Sequence, residues 1–343
     1  MVELPAGGLL LKHNCMRLAM KRFKNILYLN EPNVEQESAF ARAFSLAENN
    51  QADLTIVDVI PPQMVNAGIG ILPAGSTSDE LRAAVESEHR KILETMVQSF
   101  SKGLQVRLEV LVGKTYLEAI RAVLKNGYDL LIKPAENPSW TRRLFGSDDL
   151  HILRKCPCPV WLMKPSEKSN YGSILAAVDF DLMAPSPSEN DLNREILELA
   201  ASLALSDSAS LHIVHAWEAF FEGMLGARGG VSPEGLGNYV QKENELHMKE
   251  IYRLSENLRG WIGKEAYDYL SPGIHLPRGP AKKVIAPLAV QLQADLVVMG
   301  TVARTGISGL IIGNTAEAIL DQITCSVLAI KPPGFKTPVK LDK

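Results

Sequence analysis

Residues 294–317 read ADLVVMGTVARTGISGLIIGNTAE, and this stretch decides the fold. It opens with a short apolar run that ends at a glycine, which is typical of a buried strand in a parallel sheet. A loop containing Arg304 follows, and Gly313 precedes a helical pattern in which Asn314 and Glu317 resemble a capping box. Strand, glycine-containing loop and helix N-terminus in this order favour an anion site, because free N–H groups and the helix dipole attract negative charge. A tight turn without a ligand would give the same pattern.

Length and composition limit the class of protein. The chain has 343 residues, of which 46% are hydrophobic, so two domains of about 150–170 residues are expected. The net charge is -3 and the basic residues are dispersed, which argues against nucleic-acid binding. No uncharged apolar run is long enough for a membrane span, and charged residues make residues 1–22 a poor signal peptide. We therefore expect a cytoplasmic protein in which residues 1–20 form an extension, residues 1–19 being a dispensable or misassigned start.

The chain also repeats itself, and the order of the matching segments is the same in both halves. The matches are 25–31 with 173–179, 52–59 with 209–216, 128–133 with 294–299, and 158–165 with 325–332. This order indicates duplication of one domain of about 150 residues. We expect domains at residues 21–165 and 171–335, joined by a polar linker from Pro165 to Tyr171.

Within each half, apolar strand patterns alternate with helical patterns, which predicts a parallel, doubly wound α/β sheet with right-handed crossovers. The predicted strands are 25–30, 54–60, 106–112, 130–133 and 160–163, then 174–178, 211–216, 274–278, the apolar run within 294–300 that ends at Gly300, and 327–330. The predicted helices are 34–49, one from the Thr77 capping box to about 100, one around 119–123, 148–154, 190–205, one around 239–258, and 284–292. Residues 61–76 read as a loop.

The residues quoted above resemble a known family. The run VVMGTVARTGISGLIIGNTAEAIL, residues 297–320, looks like the nucleotide-loop signature of universal stress proteins: Gly, two residues, Gly, nine residues, Gly, then Ser or Thr. With the duplication and the segment LRKCPCPVW at 153–161, residues 21–340 resemble the tandem members. The resemblance implies two five-stranded parallel domains paired by a pseudo-twofold axis, with the last strand of each at the seam. Some members bind ATP or AMP, and others bind neither.

In the second half the resemblance assigns a nucleotide site. Asp179 ends the first strand, where the family contacts adenosine, and Ala216 ends the second strand, where backbone atoms meet adenine. The residues that match the phosphate loop are Met299, Gly300, Arg304, Gly313, Asn314 and Thr315. The resemblance therefore implies ATP or AMP, with Mg²⁺, as the ligand.

Two positions of this loop depart from the signature. Ala303 replaces the second glycine, and if that position requires φ > 0 or a close approach of the backbone to phosphate, the added Cβ costs about 1–2 kcal/mol or blocks the ligand. Asn314 replaces Ser or Thr and can still cap the helix.

The first half departs further from the signature. Glu31 stands in the position of Asp179, and Pro134 replaces the first glycine and removes a backbone donor. Asp148 and Asp149 complement the helix dipole themselves and would repel a phosphate. We therefore expect nucleotide only in the second half, with the first domain acting as its partner.

Other candidate sites are weaker. His212 and His215 lie three apart on a strand and face opposite sides, so a shared metal is not expected. Cys156-Pro157-Cys158 lacks the two-residue spacer of redox motifs, and the four cysteines read as free thiols of a reducing compartment. We find no base placed against a nucleophile, so we expect no catalytic residues and no enzyme activity.

Three functions remain open. The first is a cytoplasmic stress-response protein that binds adenine nucleotide in its second domain. The second is a module for a partly apolar ligand, with a pocket lined by the 61–76 loop and by Phe220, Phe221, Met224 and Leu225. The third is an interaction scaffold without a small ligand, and each allows pairing into a homodimer.

Overall fold

The computed structural model describes residues 23–67, 78–100, 103–136, 147–165, 167–168, 170–183, 186–222, 224, 232–301 and 313–341. It separates into two compact units. One contains residues 170–300, and the other contains residues 22–169 together with residues 301–343. Both units alternate strands with helices, and the α/β fold predicted from the sequence is confirmed.

The elements are numbered in chain order. The strands are β1 (Asn25–Leu29), β2 (Asp53–Ile60), β3 (Val106–Val112), β4 (Leu130–Pro134), β5 (Val160–Met163), β6 (Ser173–Ala177), β7 (Ser210–Val214), β8 (Gly273–His275), β9 (Leu296–Gly300) and β10 (Ser326–Ile330). The helices are α1 (Glu37–Asn50), α2 (Pro62–Ala67), α3 (Ser78–Gln98), α4 (Thr115–Asn126), α5 (Ser147–Lys155), α6 (Pro187–Asp207), α7 (Pro233–Ile262), α8 (Lys264–Leu270), α9 (Ala281–Gln291) and α10 (Asn314–Leu320).

In the unit of residues 22–169 and 301–343, five parallel strands lie in the order β3-β2-β1-β4-β5. The order reverses between β1 and β4, and ligands of doubly wound sheets bind outside the carboxyl ends of the strands at such a point. Strand β10 then pairs antiparallel with β5, with Leu328 opposite Trp161. The two final strands thus satisfy each other's backbone groups, which an exposed edge would leave unpaired.

In the unit of residues 170–300, four strands lie in the order β9-β6-β7-β8, and their pairings are all parallel. Ile174 of β6 lies between Leu211 of β7 and Leu296 of β9. All three side chains are buried, as the covered faces of a parallel sheet require. The order reverses between β6 and β9, so the carboxyl ends of β6, β7 and β9 form this unit's candidate crevice.

The structure corrects three details of the predicted helices. Helix α2 lies in the segment read as a loop, and α8, which follows Gly263 at φ +88°, was not predicted. Helix α6 begins at Pro187 rather than residue 190 because Ser186 and Glu189 form a capping box, with Ser186 N donating to Glu189 Oε2 at 3.3 Å. The cap expected at Thr77 lies outside the described residues.

Candidate functional site

The residues predicted to bind nucleotide fall into three groups. Asp179, Ala216, Met299 and Gly300 lie at or just beyond the carboxyl ends of β6, β7 and β9 in the unit of residues 170–300. Residues 313–315 lie at the start of α10, in the other unit. Ala303 and Arg304 lie outside the described residues.

Asp179 is held by its backbone while its side chain reaches solvent. Its amide donates to Oδ1 of Asn193 at 3.1 Å, and its carbonyl accepts from Nδ2 of Asn193 at 2.7 Å. Asn193 lies on α6 and is 2% exposed, whereas the Asp179 side chain is 58% exposed. The carboxylate therefore faces solvent at a fixed point beyond β6. There it can accept hydrogen bonds from the hydroxyl or amino groups of a ligand.

A cluster of aromatic rings and imidazoles lies beyond the end of β7. The buried His215 ring stacks on Phe180, with centroids 3.7 Å apart, and its Nε2 lies 3.1 Å from Nδ1 of His247 on α7. The ring of Trp217 packs against His247 with centroids 5.5 Å apart. His215 Nδ1 lies 3.9 Å from Asp179 Oδ1, so this cluster, the His/aromatic cluster, borders the carboxylate. It consists of Phe180, His215, Trp217 and His247.

Ala216 and the end of β9 complete this edge of the sheet. Ala216 is half-buried between His215 and Trp217 in the chain, and Met299 is buried beside β6. Gly300 is half-buried, and a Cβ there would lie 2.8 Å from Cδ2 of Leu192 on α6. A side chain at position 300 would therefore displace Leu192. Packing against Leu192 is thus by itself a sufficient reason for glycine at this position, whether or not a ligand binds.

The residues that flank the stretch 302–312 are joined to each other. Gly313 N donates to Thr301 O at 3.0 Å, and Thr301 N donates to Ile330 O at 3.2 Å. The buried Lys331 Nζ donates to Thr301 Oγ1 at 2.5 Å. Burial lowers the pKa of Lys331 to about 8. Asn314 and Thr315 are exposed in the first turn of α10.

The corresponding edge of the first repeat is filled by a buried ion cluster. The side chain of Lys133 on β4 is fully buried, and its Nζ lies 2.8 Å from Asp149 Oδ1, 3.1 Å from Glu31 Oε2 and 3.4 Å from Glu136 Oε1. We call these four residues the Lys133 cluster. Asp149 also accepts from the amide of Glu136 at 2.8 Å through Oδ2.

The charges of the Lys133 cluster depend on one another. Burial lowers the pKa of Lys133, but Asp149, Glu31 and Glu136 raise it, and the pKa is raised overall. Burial, followed by the charge of Asp149, raises the pKa of Glu136 to about 7. The neighbouring carboxylates thus keep the Lys133 side chain in its charged form. At the matching position, near the carboxyl end of β9, the second repeat has the neutral Met299.

Sequence reasoning found only part of this cluster. It assigned Asp148 and Asp149 to a helix terminus that repels phosphate, but Asp149 is buried against Lys133. The available signal was the lysine in the otherwise apolar strand LLIKP. Asn193 and His247 were missed because they lie on helices, in patterns that show only which face is apolar.

A histidine on the long helix pairs with the end of the second strand in both repeats. By the alignment of residues 52–59 with 209–216, Asp58 corresponds to His215. Asp58 is buried and lies 2.5 Å from Nδ1 of His89 on α3, as His215 contacts His247 on α7. Asn30 Nδ2 donates to the other oxygen of Asp58 at 2.8 Å, so the buried carboxylate is fully engaged.

His212 has a partner of its own. Its Nδ1 lies 3.0 Å from His275 Nε2, and burial lowers the pKa of both imidazoles. Within the part of the chain that the structure describes, no group of three or more His, Cys, Asp or Glu side chains could hold a metal ion. Across the same residues, every helix is too short or too polar to cross a membrane.

Comparisons with known proteins agree with the geometry of the repeats. The model of the universal stress protein family matches residues 22–164 and again residues 170–331. Universal stress protein E of Escherichia coli (strain K12) is 28% identical over 330 residues, which cover 94% of this chain and 98% of the relative. The Universal stress protein E homolog of Haemophilus influenzae is 26% identical over 317 residues, which cover 91% and 98%.

Solved structures show the same fold. A Pseudomonas aeruginosa UCBPP-PA14 structure assigned to the universal stress proteins has a TM-score of 0.63 and 25% identity, covering 93% of this chain and 95% of that one. A universal stress protein of Archaeoglobus fulgidus DSM 4304 has a TM-score of 0.59 at 17% identity, covering 90% and 98%. The family model matches twice and accounts for most of the chain, so this protein is a tandem member of the universal stress protein family.

Proposed function

We propose that this stress-response protein binds one adenine nucleotide, ATP or AMP, in its second repeat and acts by binding rather than by catalysis. The observation that carries the proposal is the geometry of Asp179. Asn193 fixes its backbone at the carboxyl end of β6, beside the point where the strand order reverses, and its carboxylate is exposed. A carboxylate placed there is suited to accept hydrogen bonds from the hydroxyl or amino groups of a nucleoside.

The assignment of further contacts rests on the family signature in the sequence. We propose that backbone atoms around Ala216 contact the base and that residues matching the signature bind the phosphates. These residues are Met299, Gly300, Ala303, Arg304, Gly313, Asn314 and Thr315. Mg²⁺ would enter with ATP, because this ion is usually bound through the substrate's phosphates.

The Lys133 cluster supports binding in one repeat only. A phosphate at the corresponding edge of the first repeat would have to separate Lys133 from Asp149, Glu31 and Glu136. Removing one partner of a buried ion pair costs about 3–5 kcal/mol, which is comparable to the binding energy of a millimolar ligand, about 4 kcal/mol. The first repeat therefore holds its own ions in place of a nucleotide.

The test is to identify what the purified protein carries and what stabilises it. Protein is denatured, and the released small molecules are identified by mass spectrometry; a thermal melt is then recorded with ATP, AMP and GTP. We expect ATP or AMP to raise the melting temperature of wild type and of Asp191→Ala, an exposed carboxylate control on α6. Asp179→Ala should lose most of that shift. The absence of any adenine-nucleotide shift at millimolar ligand in wild type contradicts the proposal.

A second candidate is a partly apolar ligand. Phe220 is 85% exposed and its ring contacts that of Phe221, while Met224 and Met183 are also exposed in the same unit. The two phenylalanine rings in contact form an exposed apolar surface, and such surfaces favour binding. Leu225 and residues 68–76, which were predicted to join this pocket, lie outside the described residues. A released hydrophobic molecule in place of a nucleotide would support this alternative, and no bound or stabilising small molecule would favour an interaction scaffold.

We further propose that the protein acts in the cytoplasm and that its two repeats pair as the single-domain members do. Fractionation of cells followed by immunoblotting tests the location. Light scattering of the purified chain tests whether the tandem protein forms a further homodimer. A mass of one chain would exclude the homodimer at the concentration used.

A further inference from the structure

Two thiols of the motif Cys156-Pro157-Cys158 lie in direct contact where α5 gives way to β5. Their sulfur atoms are 3.5 Å apart, and both residues are buried. A disulfide requires the sulfurs to approach to about 2.05 Å, so closure needs a relative movement of about 1.5 Å. Side-chain rotation can supply a movement of that size, since each sulfur turns about its own Cα–Cβ bond.

The backbone on both sides of the pair is anchored. Cys156 N donates to Ile152 O at 2.8 Å, in the last turn of α5, and Pro159 O accepts from Leu131 N of β4 at 3.0 Å. Pro157 between the cysteines has a fixed φ and no amide hydrogen. The thiols therefore meet without any ordering step, which gives each a high effective concentration toward the other.

The surroundings make the two cysteines unequal. Cys156 is fully buried, whereas 7% of the surface of residue Cys158 is exposed. The hydrogen bond with Cys156, followed by burial, raises the pKa of the Cys158 thiol. Burial lowers the pKa of the nearby Lys331, and the charge of Cys156 opposes that effect.

We propose that Cys156 and Cys158 are a reversible dithiol–disulfide site that exchanges with small-molecule disulfides. In the first step the Cys158 thiolate attacks one sulfur of the disulfide and expels a thiolate, which takes up the proton released by Cys158. In the second step the Cys156 thiolate attacks Cys158 of this mixed disulfide and expels the second small thiolate, which takes up the proton of Cys156. The protein thiols lose two electrons and the disulfide gains them, so one disulfide is converted to two thiols.

The test uses the reduced full-length protein at about pH 8 in buffers of graded oxidised and reduced glutathione. Remaining thiols are alkylated in acid, the protein is digested, and the peptide containing residues 156–158 is weighed. We expect an internal disulfide, two hydrogen masses below the reduced peptide, to exceed the glutathione adduct by about tenfold or more because the second thiol is already in contact. Added dithiol reductant should return the peptide to its starting mass.

Matched variants separate this pairing from others. Cys325→Ser should form the same internal disulfide as wild type, whereas Cys156→Ser should form only the glutathione adduct on Cys158. A circular dichroism spectrum taken at each ratio shows that the protein is folded when it reacts. The proposal is overturned if wild type stays fully reduced in oxidised glutathione, if Cys158 pairs with Cys325 instead, or if the disulfide appears only after unfolding.

Discussion

The Lys133 cluster predicts a large loss of stability in Lys133→Met. This variant replaces the cation of the cluster with methionine, the residue that the second repeat has at the matching position 299. The lysine side chain is fully buried, and its Nζ lies 2.8 Å from Oδ1 of Asp149, which is also fully buried. Removing one partner of such a pair costs about 3–5 kcal/mol because the other charge is left without compensation. In a unit of this size we expect the melting temperature to fall by about 10 °C.

The stability that Lys133→Met loses relative to wild type should increase with pH, because the carboxylates of the cluster become more negative as pH rises. The raised pKa of Lys133 keeps its stabilising contribution present throughout the neutral range. Without the lysine, Glu136 loses the positive charge that lowers its pKa, so the carboxyl is harder to ionise in the folded state. Protonation of Glu136 at lower pH therefore reduces the uncompensated negative charge in the variant, and the loss of stability should be smaller near about pH 5 than near about pH 8.

Differential scanning calorimetry at both pH values measures this effect. The matched control is Lys125→Met on the exposed end of α4, which should change the stability by less than about 0.5 kcal/mol. The double variant Lys133→Met/Asp149→Ala should recover part of the loss because it removes the stranded charge. A melting temperature equal to that of the control at both pH values would refute this account of the cluster.

Three further predictions concern single side chains. The folded-state pKa of Glu136 is about 7 and lies above the unfolded value of 4.5, so the stability that its protonated form contributes is lost as pH rises through about 7. The melting temperature of Glu136→Gln should therefore rise relative to that of wild type between about pH 5 and pH 8. A difference in melting temperature between the two proteins that is the same at both pH values in calorimetry would contradict this. Asn193→Ala should cost about 1–3 kcal/mol in urea unfolding and weaken ATP binding, because the backbone N–H and C=O of Asp179 lose their hydrogen bonds to the buried Asn193 side chain. An unaltered ATP affinity would count against the role of Asp179. Ala303→Gly should tighten ATP binding about five- to thirtyfold in equilibrium dialysis if the second glycine of the signature requires φ > 0, and equal or weaker binding would reject that reason.

The sequence was sufficient to predict those strands and helices that a pattern of neighbouring residues defines. Strands β3 and β5 have their predicted bounds, and most others differ by one or two residues, because an apolar run between turn residues defines a buried strand. Helix α2 was missed because six residues beginning at a proline carry too little periodicity to distinguish a helical turn from a loop. Strand β8 is shorter than predicted, since it pairs only at residues 273–275 and continues as the single bridge from Trp217 to Arg278.

The candidate site was less accessible to sequence reasoning because its contacts join distant positions. Asp179 was identified from its place after a strand, but the amide of Asn193 that holds it comes from a helix face. A lone lysine in β4 gives no indication of its partners, since Glu31 lies far away in the chain and on another strand end. Burial, which decides whether such a charge is a surface residue or an internal ion pair, depends on the whole fold.

The central claim is that the chain has one nucleotide site, in the second repeat, and that the first repeat is filled by its own ions. Equilibrium dialysis with labelled ATP measures the number of sites per chain in wild type, Gly313→Asp and Gly146→Asp. The account predicts one site in wild type, loss of that site in Gly313→Asp through repulsion of phosphate by the new carboxylate, and unchanged binding in Gly146→Asp. Two equivalent ATP sites per chain, or a site that Gly146→Asp removes, would contradict it.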